Sequence, residues 1–263
     1  MALGQLFRWA LPPVLKEKVP PKTAYNRAIP EAQHRRKVIM LEGCVQPAMA
    51  PNINAASRRV LDKLGVSIDQ RGKTGCCGAL RHHLNAHDGA LNDMKRNIDT
   101  WLTLLDDGAE AVIANASGCG VQIKDYPSVL AHDKDYAERA QRVGDNYLDI
   151  AEFLIAEKEQ LVALLTNASQ RVGSEHRQQL KVAFHSPCTL QHGEKINGVV
   201  EQILQSAGFI LTGVTDSHLC CGSAGTYSVL EPTLSKQLRS QKLSALNAEQ
   251  PDIIATANIG CLS

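Results

Sequence analysis

The residues of this chain best suited to chemistry are its eight cysteines, which fall into two matching sets: Cys44, Cys76, Cys77, Cys119 and Cys188, Cys220, Cys221, Cys261. Each set contains an adjacent pair followed by glycine, in Thr74-Gly75-Cys76-Cys77-Gly78 and in His218-Leu219-Cys220-Cys221-Gly222. The offsets between the sets are 144, 144, 144 and 142 residues, so the second half repeats the first in register. Four thiolates from separate loops can hold zinc or an iron–sulfur cluster. Structural zinc sites take their ligands from short-spaced Cys pairs, and no such pair is present. Neighbouring side chains of an extended chain point to opposite sides, which suits a compact tetrahedral ion poorly. A cluster of several metal atoms can use both neighbours if the backbone turns sharply, and Gly78 and Gly222 supply that turn. Soft thiolates in a reducing compartment favour iron–sulfur over zinc. A vicinal disulfide would use the doublets and leave the four outer cysteines unexplained. Burial as small hydrophobes accounts for neither the doublets nor the period.

The elements that must position these cysteines read as alternating strands and helices. Val38-Ile39-Met40-Leu41 is a short apolar run ending at Gly43-Cys44, the pattern of a buried parallel strand feeding a loop. A helix is expected over Asn52 to Leu64, stopped by Gly65, then a strand Val66-Ser67-Ile68 leading to the first doublet. Asp88 is placed to cap a helix running to Leu105, with Leu91, Met94, Ile98, Leu102 and Leu105 on one face. Ala111-Val112-Ile113-Ala114 is a third strand and delivers Gly118-Cys119. The second half repeats the order: strand Lys181 to Phe184, helix Glu194 to Ala207, strand Phe209 to Leu211, the doublet, helix Pro232 to Leu246, and strand Asp252 to Ala255 into Gly260-Cys261. Residues 136 to 165 read as a helical connector broken at Gly144. The fold class expected is α/β, two tandem pseudo-symmetric repeats, each a small parallel-sheet βαβ unit. Residues 1–36 form an amino-terminal arm, 37–135 the first domain, 136–179 the connector and 180–263 the second domain, read as truncated. Ligands of open parallel sheets bind at the carboxyl ends of the strands, so the four cysteines of each half are expected to converge.

A net charge of +1 over 263 residues gives no basic face for nucleic acid. The segment from Met1 to Arg36 is basic and proline-punctuated, with one short amphipathic stretch from Leu3 to Leu11. Arg8 and Pro12-Pro13 interrupt any secretory signal, and no window approaches the roughly 20 apolar residues of a membrane span. The expected compartment is the cytoplasm, where ordered cysteines are read as metal-binding or catalytic. No dinucleotide fingerprint, P-loop or nucleophile elbow is present.

Each repeat resembles the cysteine-rich CCG domain found in heterodisulfide reductase, in lactate-utilisation iron–sulfur proteins and in the iron–sulfur subunit of glycolate oxidase. The resemblance is carried by Leu41-Glu42-Gly43-Cys44-Val45-Gln46-Pro47, Gly75-Cys76-Cys77-Gly78-Ala79-Leu80, His185-Ser186-Pro187-Cys188-Thr189-Leu190-Gln191-His192, Leu219-Cys220-Cys221-Gly222-Ser223-Ala224-Gly225 and Ala255-Thr256-Ala257-Asn258-Ile259-Gly260-Cys261. The local wording is most similar to the glycolate oxidase subunit. The resemblance implies an iron–sulfur cofactor, of [4Fe–4S] type, bound by the eight cysteines. It also implies electron transfer from flavin-containing glycolate oxidase subunits toward a quinone or other acceptor, with membrane association only through the complex. On its own the chain is expected to lack activity toward a 2-hydroxy acid. Relatives of the heterodisulfide reductase type end the motif with Cys-x-x-Cys; Gln122 stands three residues after Cys119, which counts against a five-thiolate, non-cubane cluster there. The family's amino-terminal ferredoxin-like module has no counterpart in the sequence, so a shortened version or fragment is expected. Alternatives are a disulfide- or quinone-reducing CCG protein and a zinc-thiolate structural protein. His185, His192 and His218 flank the second cysteine set and are candidates to hydrogen-bond cluster sulfurs, against the plainer reading that they pack locally.

Overall fold

The computed structural model describes residues 8–10, 30, 32–72, 74–172 and 180–262. Of the amino-terminal arm, the 3₁₀ turn at Arg8–Ala10, residue 30 and residues 32–36 are described; the rest, with the remainder of the amphipathic stretch, lies outside the described residues.

The first half begins with β1 (Arg36–Leu41), followed by a short helix α1 (Gln46–Met49) and α2 (Pro51–Lys63), then β2 (Val66–Ile68). After the first doublet come α3 (Ala79–His83) and the long α4 (His87–Asp106), then β3 (Val112–Ala114), α5 (Ser117–Lys124) and α6 (Tyr126–Val129). The next segment carries α7 (Ala137–Asp145), β4 (Tyr147–Asp149), α8 (Ile150–Ala156) and α9 (Lys158–Val172). The second half holds β5 (Lys181–His185), a π turn at Thr189–Gly193, α10 (Val199–Ser206), β6 (Ile210–Leu211), α11 (Tyr227–Leu230), α12 (Pro232–Asn247), β7 (Ile253–Thr256) and α13 (Ile259–Leu262).

Two parallel sheets result, with strand orders β2-β1-β3-β4 and β6-β5-β7. In each, the first strand of the repeat is central and the next two flank it. The apolar run of β1 is buried on both faces, as a parallel strand covered by helices must be. Ile39 and Leu41 face a core with Met94, Ile98, Trp101 and Tyr126, whereas Val38 and Met40 face Leu61, Leu64, Phe153 and Leu161. The second half has a smaller core of Phe184, Leu190 and Ile196, and Ile203 packs across onto the cluster around Phe153 and Leu161.

Three details depart from the sequence reading. The residue flanking α4 is Ala86, with no side-chain cap, and Asp88 sits inside the first turn. Residues 194–198 do not join α10: Lys195 (φ 61°) and Gly198 (φ 75°) are left-handed and break the helical path. In place of an all-helical connector, β4 adds a parallel strand to the outer edge of β3, and Asp149 then starts α8 through a capping box with Glu152.

Candidate metal centre

The strand ends gather the cysteines as the topology requires. Cys44 follows β1, Cys76 and Cys77 follow β2, and Cys119 lies in the first turn of α5 after β3. The Cys76 sulfur is hydrogen-bonded by its neighbours Cys44 and Cys77, which hold it down at about 2 as a thiolate. Cys77 in turn hydrogen-bonds Cys119 and lowers that thiol, while its own is pushed up. Cys44 is raised for the same reason, by its bond to Cys76. The four sulfurs thus lie in one contact chain in which neighbours shift one another in opposite directions. Gly43 closes the loop against the far member: a Cβ there would stand 3.9 Å from Cys119 Sγ.

Two side chains clamp the first doublet from behind. Asn97 accepts from the Gly75 amide (3.0 Å) and donates to the Cys76 carbonyl (2.8 Å), and the Tyr126 hydroxyl donates to the Cys77 carbonyl (2.9 Å). Both are fully buried, and Tyr126 stacks on Trp101. The sequence reading missed them. The available signal was Asn97 itself, a polar residue on the apolar stripe of α4 between Met94, Ile98 and Trp101.

In the second half, Cys188, Cys220, Cys221 and Cys261 stand at the matching strand ends. Cys261 hydrogen-bonds Cys221 and lowers it to about 5, with Ser223 Oγ 3.2 Å from the same sulfur. Cys188 is pushed up to about 11 by burial and by the charge of Cys220. His185 is buried, and its ring nitrogen, Cys221 Sγ and Cys261 Sγ all lie within 4.8 Å of one another. Burial pushes its imidazole toward the neutral form. His192 Nε2 lies 3.5 Å from the His218 carbonyl, and His192 and His218 are both exposed. Lys242, buried on α12, donates to the carbonyls of Asp216 (2.9 Å) and Ser217 (3.1 Å) just ahead of the second doublet. Gln122, three residues after Cys119, is buried, and its Nε2 lacks a hydrogen-bond partner among the described residues.

The glycine after each doublet is left-handed, with φ 90° at Gly78 and 82° at Gly222. Its amide approaches the sulfur two residues back, at 3.4 Å from Cys76 Sγ and 3.3 Å from Cys220 Sγ. A Cβ would stand 3.1 Å from the Ala90 carbonyl oxygen at Gly78 and 2.6 Å from the Ser235 carbonyl oxygen at Gly222, so neither side chain nor shift is accommodated cheaply. Four sulfurs from three loops, met by backbone N–H donors, make a donor set that fits an iron–sulfur cluster.

The halves also meet. The Ser117 amide donates to the Ala257 carbonyl (3.2 Å), Ser117 Oγ lies 2.7 Å from Thr189 Oγ1, and the Gly118 amide donates to Asn258 Oδ1 (3.3 Å). Deeper in the seam, Tyr147 donates its hydroxyl to Glu194 (3.1 Å) beside Lys124. Gly120 permits this approach, since a Cβ there would stand 2.1 Å from the Tyr147 hydroxyl.

The cysteine-rich CCG domain model matches residues 38–124 and 182–263, which takes in all eight cysteines. The chain belongs to the CCG cysteine-rich domain family. Among curated CCG relatives, it is 45% identical over 259 residues to the glycolate oxidase iron-sulfur subunit of Escherichia coli (strain K12), covering 98% of this chain and 61% of that protein. It is 28% identical to the probable glycolate oxidase iron-sulfur subunit of Bacillus subtilis (strain 168), over 87% of this chain and 49% of the relative. It is 25% identical to lactate utilization protein A of Bacillus licheniformis, over 86% of this chain and 89% of the relative. The chain therefore spans about half to three-fifths of the two glycolate oxidase subunits. Among the described residues, no helix of this CCG protein is long and apolar enough to cross a membrane.

Proposed function

We propose that the chain is an iron–sulfur electron-transfer unit of a glycolate-oxidising complex, receiving electrons from a flavin-containing partner and passing them toward a quinone or another acceptor. The observation that carries this reading is the double convergence of four thiols at equivalent strand ends. The likeness to the Escherichia coli subunit supports the choice of complex, and the absence of a recognisable flavin or nicotinamide motif supports the need for a partner. An iron–sulfur cluster supplies one-electron chemistry at potentials set by charge, hydrogen bonds and exposure. In this chain the eight cysteines are the proposed ligands. The amides of Gly78 and Gly222 donate toward the ligand sulfurs, and Asn258 links the loop of Cys119 to that of Cys261. Contact with a membrane is assigned to the complex, and the compartment to the cytoplasm.

The test is iron, zinc and acid-labile sulfide per chain after anaerobic purification, with a visible spectrum before and after reduction. Iron with matching sulfide and a broad absorption that bleaches on reduction is the expected result. Zinc without sulfide would replace the electron carrier with a structural thiolate site.

A further inference from the structure

The two thiol sets occupy the same frame, yet their surroundings differ at one position that bears directly on metal chemistry. The repeat offset of 144 residues places His185 opposite Leu41, and each is the last residue of its central strand. Leu41 is part of the apolar core. His185 is equally buried, at 4% exposed, but its Nε2 has no hydrogen-bond partner among the described residues. An unpaired buried nitrogen keeps its full desolvation cost and calls for a partner. Thr256, its register partner on β7, likewise has a buried hydroxyl without one.

Sulfur stands beside this imidazole. The His185 ring nitrogen, Cys221 Sγ and Cys261 Sγ are mutually within 4.8 Å, so a small closing movement brings them to the spacing of ligands around one metal atom with bonds of about 2.0 to 2.3 Å. We propose that His185 is a metal ligand of the second centre, so that the chain pairs an all-thiolate centre with one of mixed nitrogen and sulfur ligation. This rests on the metal-binding reading above and sharpens it. A neutral imidazole brings no negative charge to the metal, as a thiolate does, and imidazole ligation raises iron–sulfur potentials. The second centre is then the electron sink of the pair.

The experiment is pulsed electron paramagnetic resonance on the reduced, anaerobically purified full chain, prepared with natural-abundance and with ¹⁵N-labelled histidine. A strong imidazole nitrogen coupling that changes with the label is expected in the wild type. It should vanish in His185→Leu, which copies the first half, and in His185→Cys, but persist in His192→Ala. The labelling comparison needs no substitution, so a variant that fails to fold does not remove the test. Iron–sulfur signals without a strong histidine nitrogen coupling would overturn the proposal and leave the electron-carrier reading intact. If no iron–sulfur centre forms, that reading fails instead, and Co²⁺ added to the metal-free chain decides the ligand question. Cobalt d–d bands that shift in His185→Cys support a nitrogen ligand, and bands indifferent to it overturn one.

Discussion

Asn258 stands between the two centres: its Oδ1 accepts the Gly118 amide at 3.3 Å, next to Cys119, and its Nδ2 lies 3.8 Å from Cys261 Sγ. A single side-chain amide therefore touches the loop of one thiol set and a sulfur of the other. Hydrogen bonds to sulfur raise cluster potentials. Asn258→Leu should lower the potential of the second centre, leave the first nearly unchanged, and cost about 1 kcal/mol through the lost bond to Gly118. A redox titration that leaves the second potential at its wild-type value would remove Asn258 from this role.

The second doublet is held differently from the first: Ser235 Oγ donates to the Gly222 carbonyl at 2.8 Å. Asn97→Ala leaves the Gly75 amide without its side-chain acceptor and the Cys76 carbonyl without its side-chain donor. A loss of about 1–3 kcal/mol in urea unfolding is expected. Metal occupancy should fall at the first centre only, as measured by iron per chain.

The seam between the halves titrates. Burial lifts Glu194 to about 8 from its ordinary 4.5 and Asp149 to about 6 from 3.8; Tyr147, Lys124 and Glu152 are the other ionisable groups around them. The folded carboxyls hold their protons more tightly than the unfolded ones. Their contribution to stability is therefore complete below about pH 4 and is lost as the pH rises through 6 and then 8. One such group changes stability by at most about 1.4 kcal/mol per pH unit. Urea midpoints measured from pH 5 to 8.5 should decline in the wild type and decline less in Glu194→Gln; parallel curves would assign the slope elsewhere.

Cys77→Ser and Cys221→Ser each remove one proposed ligand from one half. Each variant should keep roughly half the iron and sulfide, with the surviving signal differing between them. Complete loss in both would mean a single shared centre.

Much of this architecture was legible in the residues. β1 and β2 declare themselves by apolar runs closed by glycine, and the 144-residue register puts both doublets at matching strand ends. β4 was not legible, because Tyr147-Leu148-Asp149 is only three residues long and the break at Gly144 that precedes it reads equally as a joint between two helices. The seam was hidden for another reason. Ser117 and Thr189, or Gly118 and Asn258, are ordinary residues far apart in the chain, and only the packing of the two sheets brings them together. His185 was noticed as a neighbour of Cys188, whereas the structure brings it to Cys221 and Cys261, which arrive from different strands.

The turns at Gly78 and Gly222 press against the main chain of the following helices, at Ala90 and Ser235. Side chains can be exchanged for others over generations, but a carbonyl oxygen is encoded by no codon and cannot be traded away. A side chain at Gly222 must be answered by a shift of the following helix's main chain and one at Gly78 by a give of a few tenths of an ångström at Ala90, in both cases on a left-handed backbone, so the two turns are held by the fold itself and would be retained even in a copy of the repeat without its metal.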